Sequence, residues 1–168
     1  MRHIISILLA NQAGALTRVA GMFSTRGYNI ESLNVAPTNN EAVSRLTLVT
    51  TGSDDTINQI SKQLEKLVDV VSIADMTGVE QIERELTLFK LRTPETSLDK
   101  LATLINEFGG HVIEYDEVRG TLEVVGNTVE IDNFMDVISS LTEIESVVRS
   151  GTMAIAIGTP VFDAYSAD

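Results

Sequence analysis

Short apolar runs and amphipathic stretches alternate along the chain. Ile4 to Ala10 is apolar and rich in β-branched residues, which predicts a buried strand. It stops at Asn11-Gln12-Ala13-Gly14. Leu16, Val19, Ala20 and Phe23 then recur at i, i+3, i+4 and i+7, the spacing of a helix with one apolar face. A second strand is predicted over Tyr28 to Pro37, a turn at Asn39-Asn40 and a third strand over Ala42 to Thr50. In that third strand Val43, Arg45, Thr47 and Val49 share one face, and Leu46 and Leu48 the other. Ser53 or Asp54 is suited to cap a second helix. Its apolar side carries Ile57, Ile60, Leu64, Leu67 and Val68, with Asn58, Lys62, Glu65 and Lys66 opposite. Val70 to Met76 reads as a fourth strand, ended by Gly78.

The second half follows the same plan without obvious sequence identity. A strand over Glu85 to Arg92 sets Leu86, Leu88 and the stem of Lys90 against Phe89 and Leu91, and Pro94 breaks it. A helix follows with Leu98, Leu101, Ile105 and Phe108 at core spacing, ending at Gly109-Gly110. Strands over His111 to Asp116 and Thr121 to Val125 are joined through Arg119-Gly120. Thr128 starts another helix, with Phe134, Val137, Ile138 and Leu141 on one face. Ile144 to Arg149 and Met153 to Ile157 supply the last strands, and Pro160 to Asp168 reads as a loose tail. The order βαββαβ with short links is the ferredoxin-like plan. The expectation is therefore an α+β chain of two tandem ferredoxin-like domains. In each, two helices cover one face of an antiparallel sheet. The other face is left to solvent, the other domain or a partner. One unit of about 75 residues has a small core, so pairing with a second copy would hide an edge strand and add buried area.

Composition narrows the function classes. The chain has 168 residues, the length of one large or two small domains, and 43% of them are apolar, enough for a core. No apolar run approaches the roughly 18 residues that a membrane-spanning helix needs. The apolar start is too short for a signal peptide and flows into the fold. With no cysteine there is no disulfide framework and no thiolate metal site, in keeping with a cytoplasmic protein. A net charge of −12 argues against nucleic-acid binding, which uses a basic face. Residues 1–78 carry a net charge of −1 and residues 79–168 a net charge of −11. The break suggests a domain boundary, giving domains 1–78 and 79–168, with the acidic half read as a solvated face.

Candidate chemistry is sparse. His3 and His111, the two histidines, lie inside predicted strands and read as structural. Asp54-Asp55 stands at a helix start, where carboxylates favour the dipole, and Asp116-Glu117 points to opposite faces of a strand. The five methionines are scattered and read as core filler. No nucleophile elbow, phosphate loop or dinucleotide fingerprint is present, and no catalytic centre is expected. The junction from Asn11 to Gly14 is the exception. It leads into a helix N-terminus, where unpaired N–H groups and the positive dipole end suit a small anion such as a carboxylate. Gly14 lets a ligand approach the backbone, and Asn11 is suited to cap the helix or offer its amide. On spacing alone this is also ordinary turn chemistry.

The stretch from Asn11 to Thr38, N-Q-A-G-A-L-T-R-V-A-G-M-F-S-T-R-G-Y-N-I-E-S-L-N-V-A-P-T, closely resembles the start of the small regulatory subunit of acetolactate synthase, also called acetohydroxyacid synthase. That start is an ACT domain, a small amino-acid-binding module. The resemblance is dense over residues 2–80 and looser to Gly151, where Val147-Val148-Arg149-Ser150-Gly151 resembles the family's late signature. It implies an N-terminal ACT domain followed by an ACT-like one. It also implies a non-catalytic regulator that activates a large catalytic subunit and confers feedback inhibition by valine in branched-chain amino acid biosynthesis. Thiamine diphosphate, Mg and FAD are then expected on the catalytic subunit and no cofactor in this chain. In the family, valine binds between two ACT domains of a homodimer. The matching residues are Asn11, Gly14, Ala15 and Leu16 from one protomer and Asn29 and Ile30 from the other. Backbone N–H groups of Gly14 to Leu16 would hold the carboxylate, Asn11 and Asn29 would orient the ligand, and Leu16 and Ile30 would line the side-chain pocket. Many relatives carry an acidic residue where this chain has Gln12-Ala13, which bears on recognition of the ammonium group. No nucleic-acid or membrane partner is expected. The alternatives are a freestanding tandem-ACT sensor regulating another enzyme or transcription, and a small ferredoxin-like enzyme.

Overall fold

The computed structural model describes residues 1–92 and 98–162. Pro94, the side chain of Leu98 and residues 163–168 of the expected tail lie outside the described residues. The chain forms β1 (Arg2–Ala10), α1 (Ala15–Thr25), β2 (Ser32–Pro37), β3 (Val43–Thr51), α2 (Asp54–Leu64) and β4 (Val70–Asp75). It continues with β5 (Gln81–Arg92), α3 (Leu98–Glu107), β6 (His111–Tyr115), β7 (Arg119–Gly126), α4 (Thr128–Ser139), β8 (Ile144–Arg149) and β9 (Met153–Ala156). Two compact units result: residues 1–82 together with the chain from Thr152 onward, and residues 83–151.

The first unit is an antiparallel sheet in the order β2-β3-β1-β4. This is the expected ferredoxin-like arrangement. Ile5, Ile7 and Leu9 of β1 and Leu46 and Leu48 of β3 face Val19 and Phe23 of α1 and Ile57, Ile60 and Leu64 of α2. The opposite face is also buried in part. Ile4, Val49 and Met76 pack with Ala154 of the returning segment. Arg45 spans that face, donating from Nε to Ser6 Oγ at 3.0 Å and from Nη2 to Ala154 O at 3.2 Å. Its guanidinium also lies 5.4 Å from the centre of the Phe162 ring. Val161 and Phe162 are thus anchored on this unit rather than loose. His3 is buried, its Nδ1 3.0 Å from Thr77 Oγ1 and its Nε2 3.3 Å from Gly52 O, a structural setting.

Local chemistry sets the helix ends. Gly27, at φ +71, follows α1. Tyr28 N–H returns to Phe23 O at 3.0 Å and Gly27 N–H to Ser24 O at 3.2 Å, which satisfies the last carbonyls. Tyr28 therefore closes the helix, its ring edge-on to Phe23 at 6.1 Å, and β2 begins at Ser32 rather than at Tyr28. Ser53 caps α2, accepting from Thr56 N–H. Leu64 is the last residue of that helix, so the helical period no longer applies beyond it and Val68 is 91% exposed.

The second unit repeats the plan, with strand order β6-β7-β5-β8. Phe89, Leu91, Leu122 and Val124 face Leu101 and Ile105 of α3 and Ile131, Phe134 and Ile138 of α4. Phe134 meets Phe89 and Phe108 edge-on at 5.1 and 5.3 Å. Asn127 and Glu130 form a reciprocal capping box at the start of α4. Its buried stripe runs through Ile131, Phe134 and Ile138, which leaves the expected Val137 on the flank and Leu141 beyond the helix, both exposed. Gly110 N–H reaches Ile105 O and Gly109 N–H reaches Asn106 O, so α3 ends as α1 does. Arg149 clamps this unit, donating to the buried Glu85 at 2.7 and 2.9 Å and to Asp132 at 2.8 Å.

Candidate functional site

The loop between β1 and α1 is closed by its own backbone. Gln12 N–H donates to Ala10 O at 2.9 Å and Ala15 N–H to Gln12 O at 3.2 Å. Gly14 is the N-cap of α1 at φ +86, and no side chain caps the helix. A glycine suits this left-handed position, and the first N–H groups of α1, which are the positive end of its dipole, have no side-chain cap. Asn11 does not cap. Its Nδ2 donates to Glu41 O at 2.8 Å and its backbone N–H to Ala42 O at 2.8 Å, which ties the loop to the turn before β3. Ala15 is turned into the core and its N–H is already held by Gln12 O, so Ala15 is not one of the expected donors to the carboxylate. Leu16 is 38% exposed.

Asn29 and Ile30 lie elsewhere. Asn29 O accepts from Thr50 Oγ1 at 2.6 Å, its side chain is exposed and Ile30 packs against the core. Thr50 stands opposite His3, whereas the Asn11 loop follows Ala10, opposite Val43. Seven residues of strand separate the two, about 23 Å at the usual rise. Within one chain the six expected residues therefore form two sets at opposite ends of one sheet.

Arg18 and Asp69 were absent from the sequence-based set, and Gln12, noted there for the ammonium group, is bound to Asp69. Asp69, between α2 and β4, is 1% exposed. Its carboxylate accepts from Arg18 Nε, from Arg18 Nη2 at 2.8 Å and from Gln12 Nε2 at 2.5 Å. The hydrogen bonds from Arg18 hold the Asp69 carboxyl below its ordinary value; burial works against this and Gln12 adds to it. Arg18 is pushed up by the same contact, against desolvation. A single acid inside the run Leu67-Val68-Asp69-Val70-Val71 was the available signal, since a charge in an apolar run is buried only with a partner.

A cavity of about 270 Å³ in the second unit lies among Leu91, Leu101, Ile105, Val112, Tyr115 and Leu122. Its cationic lining residue, Arg92, is engaged by Glu143 at 3.1 Å and Glu145 at 3.5 Å. Among the described residues no group of three His, Cys, Asp or Glu is placed to hold a metal ion. No described helix is long and apolar enough to cross a membrane.

Two ferredoxin-like units in tandem, the first with a glycine-led, uncapped helix start at the end of β1, define the class of tandem ACT-type proteins. Known proteins match along the same lines. Residues 5–72 match the AHAS small subunit-like ACT domain, and residues 84–158 match the family described as small subunit of acetolactate synthase. The chain is 40% identical over 158 residues to the acetolactate synthase small subunit of Buchnera aphidicola subsp. Schizaphis graminum, covering 94% of this chain and 100% of that one. It is 38% identical over 161 residues to the acetolactate synthase isozyme 3 small subunit of Escherichia coli, covering 96% and 99%. The crystal structure of the acetolactate synthase small subunit from Thermotoga maritima matches with a TM-score of 0.86 at 30% identity, covering 95% of this chain and 99% of that one. The chain belongs to the acetolactate synthase small-subunit family.

Proposed function

We propose that the chain is a regulatory, non-catalytic subunit that binds a large acetolactate synthase catalytic subunit, activates it and makes it sensitive to valine in branched-chain amino acid biosynthesis. Thiamine diphosphate, Mg and FAD belong to that catalytic subunit. Valine binds where the Asn11–Leu16 loop of one protomer meets Asn29 and Ile30 of its partner in a homodimer. The observation that carries this reading is the separation of the two sets. A ligand a few ångströms across does not span about 23 Å of strand, so a site made of all six residues takes its second half from another copy. β2 is an edge strand with Val35, Ala36 and Pro37 exposed, which leaves a pairing edge for that copy.

The energetics are sufficient. A hydrogen bond to the charged carboxylate contributes about 1.5–3 kcal/mol, and burial of the isopropyl group about 1.5–3 kcal/mol. Three such bonds and that burial leave roughly −8 kcal/mol, micromolar binding, after immobilisation. A ligand that bridges two protomers biases their packing, and a coupling of about 1–3 kcal/mol inhibits the partner from several-fold to about a hundred-fold. The test is calorimetry of the chain with valine, leucine and an unrelated amino acid, followed by reconstitution with an acetolactate synthase catalytic subunit. Saturable valine binding with valine-dependent inhibition of the reconstituted enzyme supports the reading. Failure to capture or activate the catalytic subunit overturns it in favour of a freestanding sensor.

A further inference from the structure

The backbone and side chain of Asp69 do different things. Asp69 O accepts from Ala10 N–H at 2.8 Å, which joins the end of β1 to the start of β4. The second unit has the same join. Both β1–β4 and β5–β8 shift register at one point, Leu8/Leu9 and Lys90/Leu91, and Arg92 N–H donates to Glu143 O at 2.9 Å. Glu143 is thus the structural counterpart of Asp69, yet its side chain is 61% exposed. The fold closes at this point without burying a carboxylate. Burying one carries a desolvation penalty that only close partners offset. The partners of Asp69 are Gln12 of the loop and Arg18 of the first turns of α1. Arg18 Nη1 would lie 3.0 Å from a Cβ placed on Gly14, so the guanidinium rests directly against the helix start.

We propose that Asp69 is the positioning residue of the β1–α1 loop, holding Gln12 and Arg18 so that the Gly14 helix start is fixed in advance for the carboxylate of the effector. The inference rests on the effector reading given above. Arg18 is a planar fork, and tying two of its nitrogens to one carboxylate fixes the third beside Gly14. A positive charge at the positive end of a helix is unfavourable by itself, and Asp69 balances it. Without Asp69 the guanidinium and Gln12 lose their common acceptor, and the effector then has to order the loop as it binds.

The experiment is valine calorimetry and amide hydrogen exchange on the full chain for wild type, Asp69→Asn, Arg18→Gln and the double variant. Asp69→Asn is expected to weaken valine binding at least tenfold and to speed exchange at residues 12–16, with β1 and β3 amides as protected as in wild type. Arg18→Gln behaves alike, and the double variant is no worse than either single one, because both changes break the same link. Valine binding by the Asp69→Asn variant within twofold of wild type, or single effects that add in the double variant, overturns the proposal. Gln12→Met, at an exposed position, keeps the test available if Asp69→Asn does not fold. It is expected to weaken valine about threefold and to speed exchange at residues 12–14, and wild-type values for both overturn the proposal. If wild type itself binds no valine, the effector reading fails. Exchange at residues 12–16 then decides separately whether Asp69 fixes the loop, and unchanged protection in Asp69→Asn overturns that role.

Discussion

Replacing Gly14 by Asp separates backbone strain from charge at the helix start. The residue has φ +86, and a side chain in the left-handed region costs about 1–2 kcal/mol, with Asp and Asn at the low end. The new Cβ would meet Arg18 Nη1 at 3.0 Å, close enough that this flexible group has to give. The added carboxylate then competes with Asp69 for the guanidinium and occupies the place proposed for the effector's own carboxylate. About 1 kcal/mol of strain lowers the melting temperature of a unit this size by roughly 4–8 °C. Losing two charge-assisted hydrogen bonds, at about 1.5–3 kcal/mol each, weakens valine binding by at least about a hundredfold. Gly14→Asn is the control, because it shares the shape and backbone tolerance of Asp without the charge. It is expected to melt like the Asp variant and to keep valine binding within about tenfold of wild type. Calorimetry and thermal melting of the three proteins read both quantities. Equal loss of valine binding in the Asn and Asp variants would refute the charge argument, and wild-type affinity in the Asp variant would refute the site.

Other expected outcomes concern stability and regulation. Phe134→Ala removes a fully buried ring that meets two other rings and is expected to cost about 3–5 kcal/mol, read by denaturant unfolding; a loss under about 1 kcal/mol would contradict the packing described. Arg149→Met leaves the buried Glu85 without its fork and is expected to cost about 3 kcal/mol, the low end for a broken buried pair because Arg149 is itself about one-third exposed. Combining it with Glu85→Gln should restore part of that stability. The carboxyls of Asp69, Glu114, Asp116 and Glu145 all lie below their ordinary values, through bonds from Arg18, from Lys90 and Thr121, from the backbone N–H groups of Val118 and Arg119, and from Arg119. Such groups contribute stability above their unfolded values that is lost as pH falls through their folded values. The melting temperature is therefore expected to hold from neutrality down to the ordinary carboxyl values of 3.8–4.5 and to drop below them. A melting temperature at about pH 3 equal to that at about pH 7 would contradict this. Asn29→His, on the other half of the proposed site, is expected to keep catalytic-subunit activation while losing the valine response in the reconstituted enzyme.

Residue order by itself determined both βαββαβ repeats. Strand and helix periods differ, and Ile5, Ile7 and Leu9 or Ile57, Ile60 and Leu64 mark their buried faces without reference to anything distant. Turn chemistry was legible for the same reason, as at Ser53 and at Gly109-Gly110, where the cap acts on its immediate neighbours. Patterns misled where an element ended. Val68 and Leu141 continue the apolar spacing on paper, but α2 and α4 stop before them and the angle per residue changes. Tertiary structure alone decided which distant groups meet. The segment from Thr152 returns to the first unit, where Ala154 packs beside Ile4 and Val49, and no local period encodes so distant a partner. Asp69 was visible as an isolated charge, but only the joining of β1 to β4 brings it under Gln12 and Arg18. The separation of Asn11 from Asn29 likewise follows from antiparallel pairing. That pairing carries residues eighteen apart in sequence to opposite ends of one sheet, so one folded chain carries both halves of the proposed site without uniting them.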